Sequence, residues 1–425
     1  MLDLQLLRES PNRIRTAIEH KGMGTPDDVD SARALDTQHR KLLTELQQAQ
    51  ARSNTLSKQI GKKMRAGKRD EAQPLIDESG TLKERIQELE DDVKAKAEAL
   101  HRVLLSLPNV PHASVPVGRT PEDNEVVFTS GEKPTFSFAA QPHWELLERH
   151  GLADFERGAK VTGAGFPFYT GRGARLQRAL IHFFLDVATD RGYREMQPPL
   201  FVNEASATGT GQLPDKEDIM YEIDRDGLFP IPTAEVPVTN YFRDEILPEG
   251  DLPVRFCAYT PCFRREAGSH GKDVRALNRL HQFDKVELVQ FVRPPESYEA
   301  LEAMRADAEL PLKLLGLPYR RLLMCTGDMG FTQTKKYDLE VWSAGQERWL
   351  EVSSISNFEA FQARRTQVRY RDEASGSNVH VHTLNGSALA LPRVVAALLE
   401  HYQQPDGSVA LPEVLHAYTG FETIG

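Results

Sequence analysis

The sequence predicts an α+β protein: an N-terminal antiparallel two-helix coiled-coil arm, followed by an antiparallel sheet flanked by helices. Three observations carry this prediction. Apolar residues recur at heptad spacing in two blocks across residues 30–105. A Pro-rich stretch then ends that rhythm. The remainder mixes strand-like runs with amphipathic helices at hairpin-scale separations and lacks βαβ alternation.

In the first heptad block Leu35, Leu42, Ala49 and Leu56 recur at seven, with Leu46 and Ile60 at the offset of four. In the second block Leu75, Leu82, Leu89 and Val103 do the same, with Ile86, Val93 and Leu100 at the offset. Two seams of this period with Gly67 between them imply a helical hairpin, about 50 Å long for roughly 35 residues a side. Gly67 suits the positive φ of the turn, Asp70 is placed to cap the second helix, and Pro74 fits only near that helix's start. Residues 52–69 carry Arg52, Lys58, Lys62, Lys63, Arg65, Lys68 and Arg69 and no acidic residue, although the whole chain has a net charge of −10. A charge run is most often a solvated face and a coiled coil most often a spacer. An acid-free basic patch is nonetheless a usable footprint for a phosphate backbone.

Pro108, Pro111, Pro116 and Pro121 break the helix. The expected organisation is therefore a helical domain over 1–105, a linker over 106–125 and a body over 126–425. Strands are expected at 254–263, 280–292, 337–342 and 349–355, and helices at 174–190 and 390–403. With 40% hydrophobic and 27% charged residues the composition is that of a soluble globular protein. The first nine residues are too charged for a signal peptide, and no apolar run approaches the ~20 residues needed to span a bilayer. Cys257, Cys262 and Cys325 form no disulfide framework. A cytoplasmic protein without membrane attachment is expected.

Four segments carry chemistry. Phe263-Arg264-Arg265-Glu266, a loop with Gly268 and Gly271, and then Arg279 to Glu287 read as one hairpin. Strand alternation would put Arg264 with Glu266, and Phe283 with Lys285 and Glu287, on one face. That face offers a guanidinium fork, carboxylates, an amine and a stacking ring, a set suited to a triphosphate, a purine and an amino acid. Arg–Glu pairs on adjacent strands are also ordinary ladders, so the hairpin needs support from elsewhere. Glu351-Val352-Ser353-Ser354 presents a carboxylate and a hydroxyl of the kind that hold Mg²⁺ alongside substrate phosphates. Small residues at 386–388 and 390 permit close backbone approach to a ligand, and Arg393 opens the helix that follows. Pro232-Thr233-Ala234-Glu235 presents a hydroxyl and a carboxylate. His380-Val381-His382 is better explained by strand alternation than by a metal. No second pair joins Cys257 and Cys262, so no zinc is expected.

Together with Thr208–Pro214 and Leu384–Ala390, these segments resemble the bacterial-type seryl-tRNA synthetases, a family of class II aminoacyl-tRNA synthetases, over nearly the whole chain. The Phe-Arg-x-Glu…Arg-x-x-x-Phe order resembles the second class signature, and 174–199 resembles the first, which lies at a dimer interface. The resemblance implies serine activation by ATP, transfer to tRNA(Ser), with tRNA(Sec) a further candidate substrate, and a homodimer. Residue by residue it implies Arg264 and Arg393 as catalytic groups on the nucleotide, with Arg265, Val352 and Ser353 also at ATP. Glu266 would lie at the adenine amino group, Phe283 and Arg393 on the two ring faces, and Arg279 at the γ-phosphate. Glu351 and Ser354 would hold Mg²⁺. Thr233, Ala234, Glu235, Arg264, Glu287, Asn385 and Ser387 would surround serine. The basic arm would grip tRNA. Arg265 and Ala276 stand where many members carry Ser and Gly, and Ala388 and Pro392 replace glycines of the general pattern. Another class II specificity, a non-catalytic RNA-binding relative, and a relative loading carrier proteins are the rival readings. Each would need different groups at Thr233, Glu287 and Asn385, or loss of Arg264, Glu266, Glu351 and Arg393, or no long arm.

Overall fold

The computed structural model describes residues 1–214, 219–266 and 275–425. They divide into two compact units, residues 2–19 with 23–108, and Met1 with residues 20–22 and 109–425.

The first unit is built on α2 (Pro26–Arg65) and α3 (Arg69–Ser106), preceded by the short α1 (Leu4–Glu9). Thr25 starts α2 through a capping box with Asp28, and Pro26 occupies the first turn, where its missing N–H costs nothing. The heptad seam is the buried seam: Leu46, Leu56, Leu89 and Leu100 are 7%, 0%, 2% and 5% exposed. Gly67 turns the chain with φ +71°. Asp70 does not cap α3. It lies inside the first turn, after Lys68, where it complements the helix dipole instead. Pro74 sits one turn further in than a first-turn proline, so α3 forgoes the bond its N–H would have made. Arg8 of α1 forks onto Asp36 of α2 with bonds of 2.8 and 2.6 Å, and this fixes α1 against the base of the hairpin.

The body is an eight-stranded sheet. In chain order its strands are β1 (Glu125–Ser130), β2 (Arg194–Glu195), β3 (Val254–Phe263), β4 (Gln282–Val292), β5 (Tyr319–Leu323), β6 (Lys335–Ser343), β7 (Arg348–Asn357) and β8 (His382–Ala390). Across the sheet the order is β1-β5-β6-β7-β8-β4-β3-β2, antiparallel except for the β2–β3 edge. One face is covered by α4 (Gly171–Asp190), α5 (Ser297–Leu314) and α7 (Leu391–His401), with the smaller α6 (Phe361–Thr366) elsewhere in the body. The stripe Leu176, Leu180, Phe183 and Phe184 of α4 packs in the same core as Val286 and Leu288 of β4 and Val394 and Leu398 of α7. Each such side chain, fully buried, contributes roughly 1.5–3 kcal/mol.

Alternation along β4 positions the site. Val286 and Leu288 face the helices. Val289 and Phe291, on the opposite side, join a second apolar cluster with Phe256 and Tyr370. That same side carries Phe283, Lys285 and Glu287 into a cavity. Residues 109–118 are tied down: Asn109 donates to the carbonyls of Thr332 and Phe358, both at 2.9 Å, and backbone bonds join His112 to Thr334 and Pro116 to Thr326. No helix among the described residues is long and apolar enough to cross a membrane.

Leu56→Ala should loosen the arm by about 2–5 kcal/mol, the usual cost of emptying a tightly packed leucine site. Hydrogen exchange should report faster exchange in α2 and α3 with unchanged protection in β3, β4 and β8. Equal deprotection of the sheet would contradict an independently packed arm.

Candidate active site

The cavity, of about 530 Å³, lies on the open face of β4, β6, β7 and β8. Its wall includes Arg264, Glu266, Arg279, Phe283, Glu351, Val352, Ser353, Ser354 and Arg393, and also Thr233, Glu235, Glu287, Asn385 and Ser387. Two residues expected at the site do not line it. Arg265 is exposed, and its backbone N–H donates to the Ile219 carbonyl at 2.8 Å. Ala234 is wholly buried behind Thr233. The loop with Gly268 and Gly271 lies outside the described residues.

Arg264 and Glu266 reach the cavity by a route that strand alternation did not predict. β3 stops at Phe263, and Glu266 has φ +50°, so a kinked segment rather than pleat alternation aims them. Arg264 is anchored at its base by a bond to the Pro232 carbonyl (3.2 Å) and lies 5.2 Å from the Phe283 ring centre. Glu266 is paired with Arg279. Arg393 donates to the carbonyls of Asn278 (3.1 Å) and Glu351 (2.8 Å), which holds its guanidinium along the rim.

At the other end of the cavity a buried polar network surrounds Glu287, which is 1% exposed. Its carboxylate receives Lys285 at 2.5 Å, the Asn385 amide at 3.0 Å and the Ser387 hydroxyl at 3.2 Å. Lys285 also donates to the Thr233 hydroxyl at 2.8 Å. Asn385 donates to Glu235 at 2.9 Å, and Gln362 donates to the other oxygen of Glu235 at 2.7 Å. Thr383 in turn donates to Gln362 at 2.7 Å. The Asn385 carbonyl oxygen is buried without a partner among the described residues, an acceptor available to a ligand's donor. Two carboxylates, an amide and two hydroxyls so arranged suit a small zwitterion carrying an ammonium and a hydroxyl.

Oxygen donors for a divalent cation stand at the β6–β7 side. Glu351 and Ser354 line the wall, and no group of three or more His, Cys, Asp or Glu side chains converges among the described residues. So few protein oxygens fit a Mg²⁺ ion bound chiefly through phosphates. Behind them Lys336 lies 3.1 Å from Asp338. Burial pushes the Asp338 carboxyl up, partly opposed by Lys336 and reinforced by Glu351. Burial also works against the Lys336 ammonium, but Asp338, Glu351 and Asp328 together raise it.

Gln362, Lys336, Asn278 and Gln333 were not legible as site residues. Each is an isolated polar residue whose role depends on strands or loops distant in the chain. His382 is bonded to Ser297 through Nδ1 at 2.8 Å, a core contact. On the arm, Arg52 pairs with Glu78 (2.7 Å), and Lys63 and Lys68 with Glu71 (2.7 and 2.9 Å), so α3 offsets part of a patch that reads as acid-free along the chain. Lys58, Lys62 and Arg69 are exposed and make no such pair among the described residues.

Residues 1–111 match the family model described as the seryl-tRNA synthetase N-terminal domain, and 221–402 match the class II tRNA synthetase core domain (G, H, P, S and T). The serine–tRNA ligase of Salinibacter ruber is 63% identical over 425 residues, covering 100% of this chain and 99% of that protein. That of Bacillus subtilis is 50% identical over 421 residues, covering 99% of this chain and 98% of its own. The seryl-tRNA synthetase of Pyrococcus horikoshii, solved in complex with ATP, superposes with a TM-score of 0.93 at 36% identity, over 100% of this chain and 99% of that one.

Burial, with Arg364 nearby, pushes the His382 imidazole down from its ordinary 6.5 to about 4. A folded pKa below the unfolded one gives stability that is full above pH 6.5 and lost as pH falls toward 4, about 3 kcal/mol in all. Urea melts of His382→Gln should therefore show a shallower loss of stability between pH 6.5 and 4 than the parent. Parallel pH profiles would contradict it.

Proposed function

The chain belongs to the seryl-tRNA synthetase family, and from that membership we propose how its cavity performs the serine–tRNA ligase reaction. The protein is an ATP-dependent aminoacyl-tRNA ligase of class II. On our reading one oxygen of the L-serine carboxylate attacks the α-phosphorus of ATP, and the bond to the bridging oxygen of pyrophosphate breaks. A terminal ribose hydroxyl of tRNA(Ser) then attacks the seryl carbonyl carbon, and AMP leaves. The observation that carries this reading is the juxtaposition in one cavity of the Glu287–Asn385–Glu235 network with Arg264 and Phe283.

Arg264, standing between the two halves, spans the serine carboxylate and the α-phosphate. Phe283 and Arg393 take the two faces of adenine, and Glu266 takes its amino group. Arg279 moves from Glu266 to the γ-phosphate as ATP enters. Glu351 and Ser354 would hold a Mg²⁺ ion, which when bound would supply charge neutralisation for the phosphates. The nucleophile is already ionised, so positioning and charge do the catalysis. Glu287 takes the serine ammonium, with Thr233 and Glu235 beside it, while Asn385 and Ser387 read the hydroxyl. Alanine would leave those buried groups unpaired, a penalty that reaches ~10⁴ in sites built this way. The arm, through Lys58, Lys62 and Arg69 above all, holds the tRNA backbone. The working molecule is a cytoplasmic homodimer.

Arg264→Ala should lower serine-dependent ATP–pyrophosphate exchange by about 10²-fold or more, as loss of a charge-stabilising donor does. Exchange near the parental rate in a folded variant would refute its role. Combined Lys58→Ala, Lys62→Ala and Arg69→Ala should raise the tRNA KM and flatten the salt dependence of tRNA binding by about one slope unit per lost phosphate contact. Pyrophosphate exchange should hold steady in that variant, and a parallel fall in exchange would count against the division of labour.

A further inference from the structure

Outside the cavity lies a closed cluster that the reaction does not use directly. His143 and Glu400 are both 0% exposed. The Glu400 carboxylate accepts the His143 backbone N–H (2.8 Å) and the Gly345 N–H (3.0 Å), and it also accepts from the Ser343 hydroxyl. The His143 Nδ1 lies 2.8 Å from the same carboxylate. Its other ring nitrogen, Nε2, faces the backbone N–H of Leu277 at 3.3 Å. An amide N–H can only donate, so Nε2 must be bare, and the ring proton sits on Nδ1, donated to Glu400.

That assignment matters because of where Leu277 lies. Residues 275–279 bring the chain back into the cavity wall, and Leu277, Asn278 and Arg279 all line it. The segment holds itself weakly: Ala276 has φ +53°, a conformation that favours glycine, and its one internal backbone bond among the described residues runs from the Asn278 N–H to the Arg275 carbonyl at 3.2 Å. The other restraints come from outside. His143 takes the Leu277 N–H, Arg275 stacks on Trp144 at 4.6 Å, and the Asn278 side chain pairs with Gln346 (2.8 Å), which donates to Ser343 (2.7 Å). The Asn278 carbonyl, in turn, receives Arg393.

We infer that His143, held in one tautomer by Glu400, is a positioning residue for the nucleotide: it fixes residues 275–279 and through them sets Arg279 and Arg393. The inference rests on the reading of the cavity as the ATP site. It acts on ATP and leaves serine alone, because no bond among the described residues links this cluster to Glu287 or Glu235.

The test uses ATP–pyrophosphate exchange with the full-length enzyme, measuring KM for ATP and for serine separately. His143→Asn keeps a donor for Glu400 but is too short to reach Leu277. His143→Gln can place its carbonyl oxygen where Nε2 stood. His143→Asn should raise the ATP KM about tenfold, the effect of leaving one buried donor unpaired, with the serine KM nearly unchanged. His143→Gln should recover much of that loss. Where His143→Asn does not fold, Gln346→Leu at the half-buried end of the cluster should give the same selective rise. Unchanged ATP KM, or equal rises for ATP and serine, in folded variants would overturn the inference. Arg393→Ala separates the two failures: it raises the ATP KM if the cavity is the ATP site, whatever His143 does, and leaves it unchanged if that reading is wrong.

Discussion

The structure depends on one carboxylate, Glu287, that is almost wholly buried. Glu287 sits in the middle of β4, where the pleat sends alternate residues to a helix-packed core and to the open face. The strand could not slip by one residue without carrying Glu287 and Lys285 into the apolar core in place of Val286 and Leu288. The register of the whole sheet is therefore tied to the chemistry of its cavity. A buried carboxylate is tolerated only if its oxygens are occupied, and here an ammonium, an amide and a hydroxyl occupy them.

The same constraint explains why the surrounding residues form a chain rather than a collection. Asn385 bridges Glu287 and Glu235, and Gln362 holds Glu235 against Thr383. Such a network is rigid because any member that moves leaves another unpaired in a low-dielectric setting. Rigidity of this sort lets a site tell a hydroxyl-bearing amino acid from one without it. The end of the cavity that we assign to the nucleotide is built differently. Arg264, Arg279 and Arg393 are tethered to backbone carbonyls or to a partner carboxylate, and all three line the cavity.

How much of this was legible in the sequence follows from the range of each interaction. The hairpin arm was plain, because a heptad seam is written in local spacing and Leu46, Leu56 and Leu89 are buried where the period places them. β3 was read residue for residue, and α4 and α7 within a few residues, for the same reason. The failures are non-local or conformational. Asp70 looked like a cap because its type suits one, but α3 begins at Arg69 and its cap position is Lys68, two residues earlier. Arg264 and Glu266 were assigned to a strand that ends before them, since nothing in their types announces the positive φ at Glu266. The basic run at 52–69 seemed acid-free because Glu71 and Glu78 belong to the returning helix. Gln362 and Asn278 carry no local mark at all. Their partners lie 127 and 68 residues away.

The most direct test of the account is a co-crystal structure with a non-hydrolysable seryl-adenylate mimic. The account predicts the ligand's ammonium against Glu287, its hydroxyl at Asn385, its phosphate surrogate on Arg264 and its purine between Phe283 and Arg393. A ligand seated with its amine away from Glu287, or bound outside this face of the sheet, would contradict it.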